Sequence, residues 1–115
     1  MLKTNFRRAV MIPVGVSLLI ATSLFESSVA QAQQATAVVI KNFMFTPMSL
    51  TVKVGSTVTW KNLDGEPHTV VEDAGLFRSS ALDQNDSYAF KFDKPGVYKI
   101  FCGIHPYMKQ TITVQ

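Results

Sequence analysis

From residue 33 onward, apolar and polar residues alternate along the chain in short runs separated by turn residues, with no stretch of helical period long enough to matter. Val38 and Ile40 mark a first strand. Leu50, Val52 and Val54 alternate with Thr51 and Lys53; past Gly55-Ser56, Val58 and Trp60 alternate with Thr57, Thr59 and Lys61. A Gly-Ser turn between two alternating runs predicts a hairpin. Leu63-Asp64-Gly65-Glu66 is a polar turn, after which a strand is expected from near His68 through Val71.

Residues 72–84 show no clear period and read as irregular, with room for a short helical turn. Tyr88, Phe90 and Phe92 then share one face of a strand, Lys94-Pro95-Gly96 turns the chain, and Tyr98, Ile100 and Cys102 fall on one face by parity. Thr111 to Val114 forms a closing strand. About seven or eight short strands at this spacing predict an all-β domain, a sandwich of two sheets.

The N-terminal third follows a different pattern. Lys3, Arg7 and Arg8 form a basic region, residues 9–25 are free of charge and mainly apolar, and small residues follow. Ala30-Gln31-Ala32 has the form of a cleavage site, so residues 1–32 are expected to be a signal peptide and 33–115 the exported domain. Cleavage after Ala30 and retention of the run as an anchor are the alternatives, the run being close to the ~20 residues that span a bilayer. Pro13 and Gly15 interrupt it, which favours cleavage. Removal of the leader implies a periplasmic protein with no stable membrane insertion. Arg7-Arg8 leaves the choice between general and twin-arginine export open.

Charge changes the picture little. The whole chain has 11 basic and 8 acidic residues, but three of the basic ones and one acidic one lie in the leader. The exported part carries eight against seven, a net of +1, which gives no footprint for nucleic acid.

Cysteine usage changes it more. A single cysteine in a small exported domain excludes an internal disulfide and leaves a thiol that needs protection, which metal ligation supplies. Taken alone, Cys102 is better read as a small buried apolar residue. It does not stand alone: Cys102, His105 and Met108 are spaced C-x2-H-x2-M between two predicted strands. Thiolate, imidazole and thioether favour a soft or borderline ion, and two histidines, a cysteine and a weak axial methionine are the ligand set of a blue-copper site. The second imidazole has to come from His68, the only other histidine, and it reaches the loop only through the fold. Metal binding is therefore expected to add to folding stability. Met44 and Met48, with no partner at ligand spacing, read as core or rim residues.

The stretch Phe101-Cys102-Gly103-Ile104-His105-Pro106-Tyr107-Met108 resembles the ligand loop of the cupredoxins, and its short spacing is most similar to the amicyanin group. The similarity extends to Gly55-Ser56-Thr57-Val58-Thr59-Trp60-Lys61-Asn62, to Glu66-Pro67-His68-Thr69-Val70 and to Lys94-Pro95-Gly96-Val97-Tyr98. This resemblance implies a Greek-key sandwich holding one type 1 copper ion, with His68, Cys102 and His105 as strong ligands and Met108 as the weak axial one. It implies a soluble one-electron carrier rather than an enzyme, a monomer cycling between Cu(II) and Cu(I). Its His105 ring would be the electron port inside an apolar collar of Ile104, Pro106, Tyr107 and Met48. Transient redox partners are implied as well, a periplasmic dehydrogenase as donor and a cytochrome as acceptor.

Two positions depart from the family pattern. Ile104 stands where a proline is familiar and restores an N–H, which would raise the reduction potential if it pointed at the Cys102 sulfur. Thr69 replaces the asparagine with which many members tie their two ligand loops, which predicts a weaker tie. Rival functions fit less well. A catalytic copper needs more histidines than the two present, a dinuclear site needs a second bridging cysteine, and zinc suits Cys and His but not the thioether. A copper chaperone or resistance protein is the alternative binding module, supported only by Met44 and Met48. Asp64, Glu66, Glu72 and Asp73 read as a solvated acidic face or as a patch steering a basic partner.

Overall fold

A computed structural model describes residues 35–115, together with 11, 13–15 and 17. The rest of the expected signal peptide, with its cleavage sites at Ala30 and Ala32, lies outside the described residues. Eight strands follow in order: β1 (Ala35–Lys41), β2 (Met44–Thr46), β3 (Ser49–Val52), β4 (Thr57–Asn62), β5 (Val71–Glu72), β6 (Ser87–Lys91), β7 (Gly96–Phe101) and β8 (Lys109–Val114). They form two four-stranded sheets, β2-β1-β4-β6 and β3-β8-β7-β5, and the all-β sandwich expectation is borne out. Each sheet is mixed: β1 runs parallel to β4 in one and β3 parallel to β8 in the other.

The predicted hairpin between the runs at 50–54 and 58–60 does not form. Leu50 and Val52 pair with Ile112 and Val114 in one sheet, whereas Val58 and Trp60 pair with Thr36 and Val38, and with Phe90 and Tyr88, in the other. Alternation shows which side chains face a core but not which sheet supplies them, and here Val52 and Val58 enter one core from opposite walls. The Gly55-Ser56 segment is the crossing between sheets. Gly55 takes φ 87°, in the left-handed region, and its N–H donates to the carbonyl of Phe92.

The space between the sheets is filled by Val38, Ile40, Phe45, Val58, Trp60, Phe92, Ile100 and Ile112, all almost wholly buried. Parity placed Ile100 and Cys102 correctly on the inner face of β7 and its continuation. Trp60 needs a partner for its indole N–H, and Gln110 supplies one at 2.8 Å while donating its own amide to the carbonyl of Pro47.

Between Val71 and the start of β6 the chain is less regular than a sandwich strand. The strand expected from near His68 through Val71 shrinks to β5, Val71–Glu72. His68 instead makes an isolated two-bond bridge with Leu82, and residues 72–75 form a turn closed by Gly75 N–H on the carbonyl of Glu72. The segment carries no helix among the described residues. The topology gathers three segments at one end, beside β5: the β1–β2 turn, the stretch after β4, and the loop from β7 to β8, whose ends Phe101 and Lys109 are paired.

Candidate metal centre

His68, Cys102 and His105 meet at that end. Cys102 is fully buried, just past β7, and its backbone N–H donates to the carbonyl of Met108. The N–H of Met108 in turn donates to the carbonyl of His105, so the loop closes on itself before β8 begins. His68 enters from the other sheet's loop and is also fully buried, whereas His105 is only partly covered.

The donor atoms converge tightly. The two Nδ1 atoms are 3.2 Å apart, and the Cys102 Sγ lies 3.8 Å from each of them. Around one ion with nitrogen at about 2.0 Å and sulfur at about 2.3 Å, a planar set of three ligands has N–N and N–S separations of about 3.5 and about 3.7 Å. The triangle in this chain matches those edges to within a few tenths of an ångström, so the residues fit a single ion without rearranging. Met108, the fourth residue singled out by spacing, is buried in the hydrophobic core beside the loop it closes.

Each donor is held by further bonds. Asp64 Oδ2 lies 2.8 Å from His68 Nε2; because a carboxylate only accepts, Nε2 is the donor, and the ring turns Nδ1 toward the triangle. Asp64 also accepts the N–H groups of Asn42 at 2.7 Å and Phe43 at 2.9 Å. Burial pushes the Asp64 carboxyl up, but the bonds from Phe43, His68 and Asn42 outweigh it and hold the group below its ordinary value of 3.8. The turn bearing Asp64 is itself pinned by the buried Asn62, whose amide donates to the carbonyls of Glu66 and Leu82 and whose Oδ1 accepts the Asp64 N–H.

The sulfur receives the N–H of Thr69 at 3.3 Å. That corrects the expectation for Ile104: among the described residues no bond runs from its N–H to the thiol. Ile104 faces outward instead, about half exposed. The weak tie expected of Thr69 is also corrected. Its hydroxyl accepts the Gly103 N–H at 2.7 Å, so a short side chain suffices because the two loops approach closely. Glycine permits that approach; a Cβ at Gly103 would sit 3.0 Å from Thr69 Oγ1 and 3.5 Å from Val71 Cγ2.

Of the four acidic residues read as a surface cluster, two turn inward. Asp64 serves His68, and the buried Glu72 accepts the Leu76 N–H at 2.9 Å. Glu66 and Asp73 are exposed. Residues that alternation and ligand spacing passed over are Asn62, Asp64 and Phe43, whose ring stands edge-on to both histidines with centroids 5.2 and 5.1 Å away. A carboxylate four residues before a candidate ligand histidine was the one available signal.

A model of the cupredoxin-like domain matches residues 13–114. The chain belongs to the cupredoxin-like family. Plastocyanin from Scenedesmus fuscus is 44% identical over 85 residues, 63% of this chain and 87% of that protein. Amicyanin-alpha from Methylorubrum extorquens is 30% identical over 118 residues, covering 94% of this chain and 99% of that one. Among solved structures, an amicyanin variant in its Cu(I) form superimposes with a TM-score of 0.67 at 30% identity, over 70% of this chain and 82% of that one. A copper-containing nitrite reductase from Thermus scotoductus matches with a TM-score of 0.67 and 30% identity, over 71% of this chain but 22% of the enzyme.

Proposed function

We propose that this cupredoxin is a one-electron carrier whose single type 1 copper would be held by His68, Cys102 and His105, with Met108 as the fourth, thioether ligand. The observation that carries the reading is the triangle of two imidazole nitrogens and one thiol sulfur with edges of 3.2, 3.8 and 3.8 Å. Thiolate, thioether and imidazole donors select copper over harder ions. Bound there, copper supplies a Cu(II)/Cu(I) couple, one electron per cycle.

The protein's part is to hold the donors still. Thr69 N–H stabilises negative charge on the sulfur, Asp64 fixes the His68 ring, and the Thr69–Gly103 bond joins the two loops that carry the ligands. Donors fixed in this way keep their places when the site changes charge, which keeps reorganisation small. His105 is the partly exposed member, so its ring connects the buried donors to the surface. Tyr107, whose ring centroid lies 6.1 Å from that of His105, and its neighbours Ile104 and Pro106 are exposed, and Met44 and Met48 line a surface pocket with Phe43 and Tyr107, an apolar rim suited to brief docking.

On this reading residues 1–32 direct export and are removed, and residues 33–115 work as a monomer in the periplasm without transforming a substrate. The donor is a dehydrogenase and the acceptor a cytochrome. Film voltammetry of the copper-loaded protein tests the proposal: one reversible one-electron wave, at one copper per chain, is expected. A multi-electron wave, or none in a protein that binds copper, would overturn it.

A further inference from the structure

The turn joining β1 to β2 has an unusual composition. Lys41 pairs with Met44, leaving Asn42 and Phe43 as a two-residue hairpin loop with φ of 52° and 57°. Two successive positive φ angles are those of a type I′ turn, whose second position is a glycine preference. A bulky aromatic residue is disfavoured in the left-handed region, where its Cβ crowds the backbone. Such an outlier persists only where its surroundings over-determine it.

Those surroundings are the carboxylate of Asp64. Its Oδ1 takes the Asn42 N–H at 2.7 Å and its Oδ2 the Phe43 N–H at 2.9 Å, and Oδ2 also takes the His68 Nε2–H at 2.8 Å. The turn so held places the Phe43 ring at 89° to both imidazoles, with centroids 5.2 Å from His68 and 5.1 Å from His105. One side chain thus reaches both histidines, directly through a hydrogen bond and indirectly through an aromatic edge.

We infer that Asp64 and Phe43 form a single clamp, Asp64 acting as a positioning residue that sets the tautomer and orientation of His68 and, through the Phe43 ring, the orientation of His105. The inference rests on the copper reading for its redox consequence and on the metal-free geometry for its structural one. A carboxylate on Nε2–H strengthens Nδ1 as a donor and favours the higher charge of Cu(II). Asp64 therefore lowers the reduction potential, and the clamp narrows the range of ring positions. Phe43 is needed for its ring and not for the turn, since glycine suits that backbone better.

Two variants separate the parts. Asp64→Asn keeps the size and an acceptor oxygen but removes the charge; Phe43→Gly relaxes the turn and removes the ring, so it should fold at least as well as the wild type. On the metal-free proteins, long-range imidazole 15N–1H correlation spectra read the tautomer. The wild type should show His68 protonated on Nε2, and Phe43→Gly should shift the resonances of both histidines; a His68 protonated on Nδ1, or a Phe43→Gly spectrum with both rings unmoved, overturns the clamp. On the copper-loaded proteins, Asp64→Asn should weaken Cu(II) binding about tenfold with Cu(I) binding unchanged, a rise of about 59 mV for a one-electron couple. Phe43→Gly should shift the potential less, and the double variant should fall short of the sum of the two single shifts. An Asp64→Asn potential equal to the wild type's overturns the redox role of Asp64. If the wild-type protein binds no copper, the copper reading fails, while the metal-free spectra still decide the clamp.

Discussion

Around Trp60 the sandwich is held by volume, and around Cys102 by direction. Trp60 has the rings of Phe77, Tyr88 and Phe92 at centroid distances of 5.7, 6.1 and 6.5 Å, and Phe77 lies 4.3 Å from Phe90. Contacts of this kind depend on filling space and tolerate other shapes of similar size. At the ligand end Asn62 makes three side-chain bonds, Asp64 accepts three, and Thr69 reaches Cys102 and Gly103. Each of these bonds adds only about 1 kcal/mol of net stability, but each states where an atom must lie. The fold separates the two tasks: aromatic packing supplies stability, and polar bonds to short loops place three donor atoms within 4 Å of one another.

The separation is open to direct attack. Phe92→Ala should bring the largest loss of stability, about 3–5 kcal/mol, read from urea unfolding of the metal-free protein, while the fraction that stays folded keeps the wild-type copper spectrum. A spectrum altered along with the stability would break the comparison. Asn62→Ala strips the site end of three bonds at about 1 kcal/mol each, so a loss of about 3 kcal/mol is expected together with weaker copper binding, which isothermal titration would show. Thr69→Val should cost about 1 kcal/mol and broaden the copper spectrum, with Thr69→Ser restoring both.

The smallest effect belongs to the packed half. Burial raises the Tyr88 phenol above its ordinary 10.0. The folded state thus favours the neutral ring, and this stabilisation is complete below the unfolded value and lost as pH rises through the higher folded one. Urea midpoints should fall between about pH 9 and about pH 11 by an amount that Tyr88→Phe abolishes, with no change in the copper spectrum.

The packed half was also the more legible one. Alternation at Val58 and Trp60, and at Tyr98, Ile100 and Cys102, follows from the strand period, and the burial of these residues agrees with it. The partners of the strands were less legible, because Val52 and Val58 have the same local pattern whether they share a hairpin or face each other across a core. At the ligand end, His68, Cys102 and His105 stood out because the chain has two histidines and one cysteine, and Met108 because it follows His105 at ligand spacing. What holds them did not. Asp64 and Glu72 look like solvated acids until the fold brings N–H groups to them. Thr69 looks too short to join two loops until Gly103 is seen to let them touch. Phe43 sits in a turn where sequence preference would place glycine.

The central claim is that three donor atoms from two loops make one thiolate–copper site. A visible absorption spectrum of the protein with one equivalent of Cu(II), before and after ascorbate, tests it most directly. The account predicts an intense thiolate-to-copper band that bleaches on reduction, returns on reoxidation and is missing from Cys102→Ser. A copper-loaded protein that stays colourless, or a band that survives in Cys102→Ser, would contradict it.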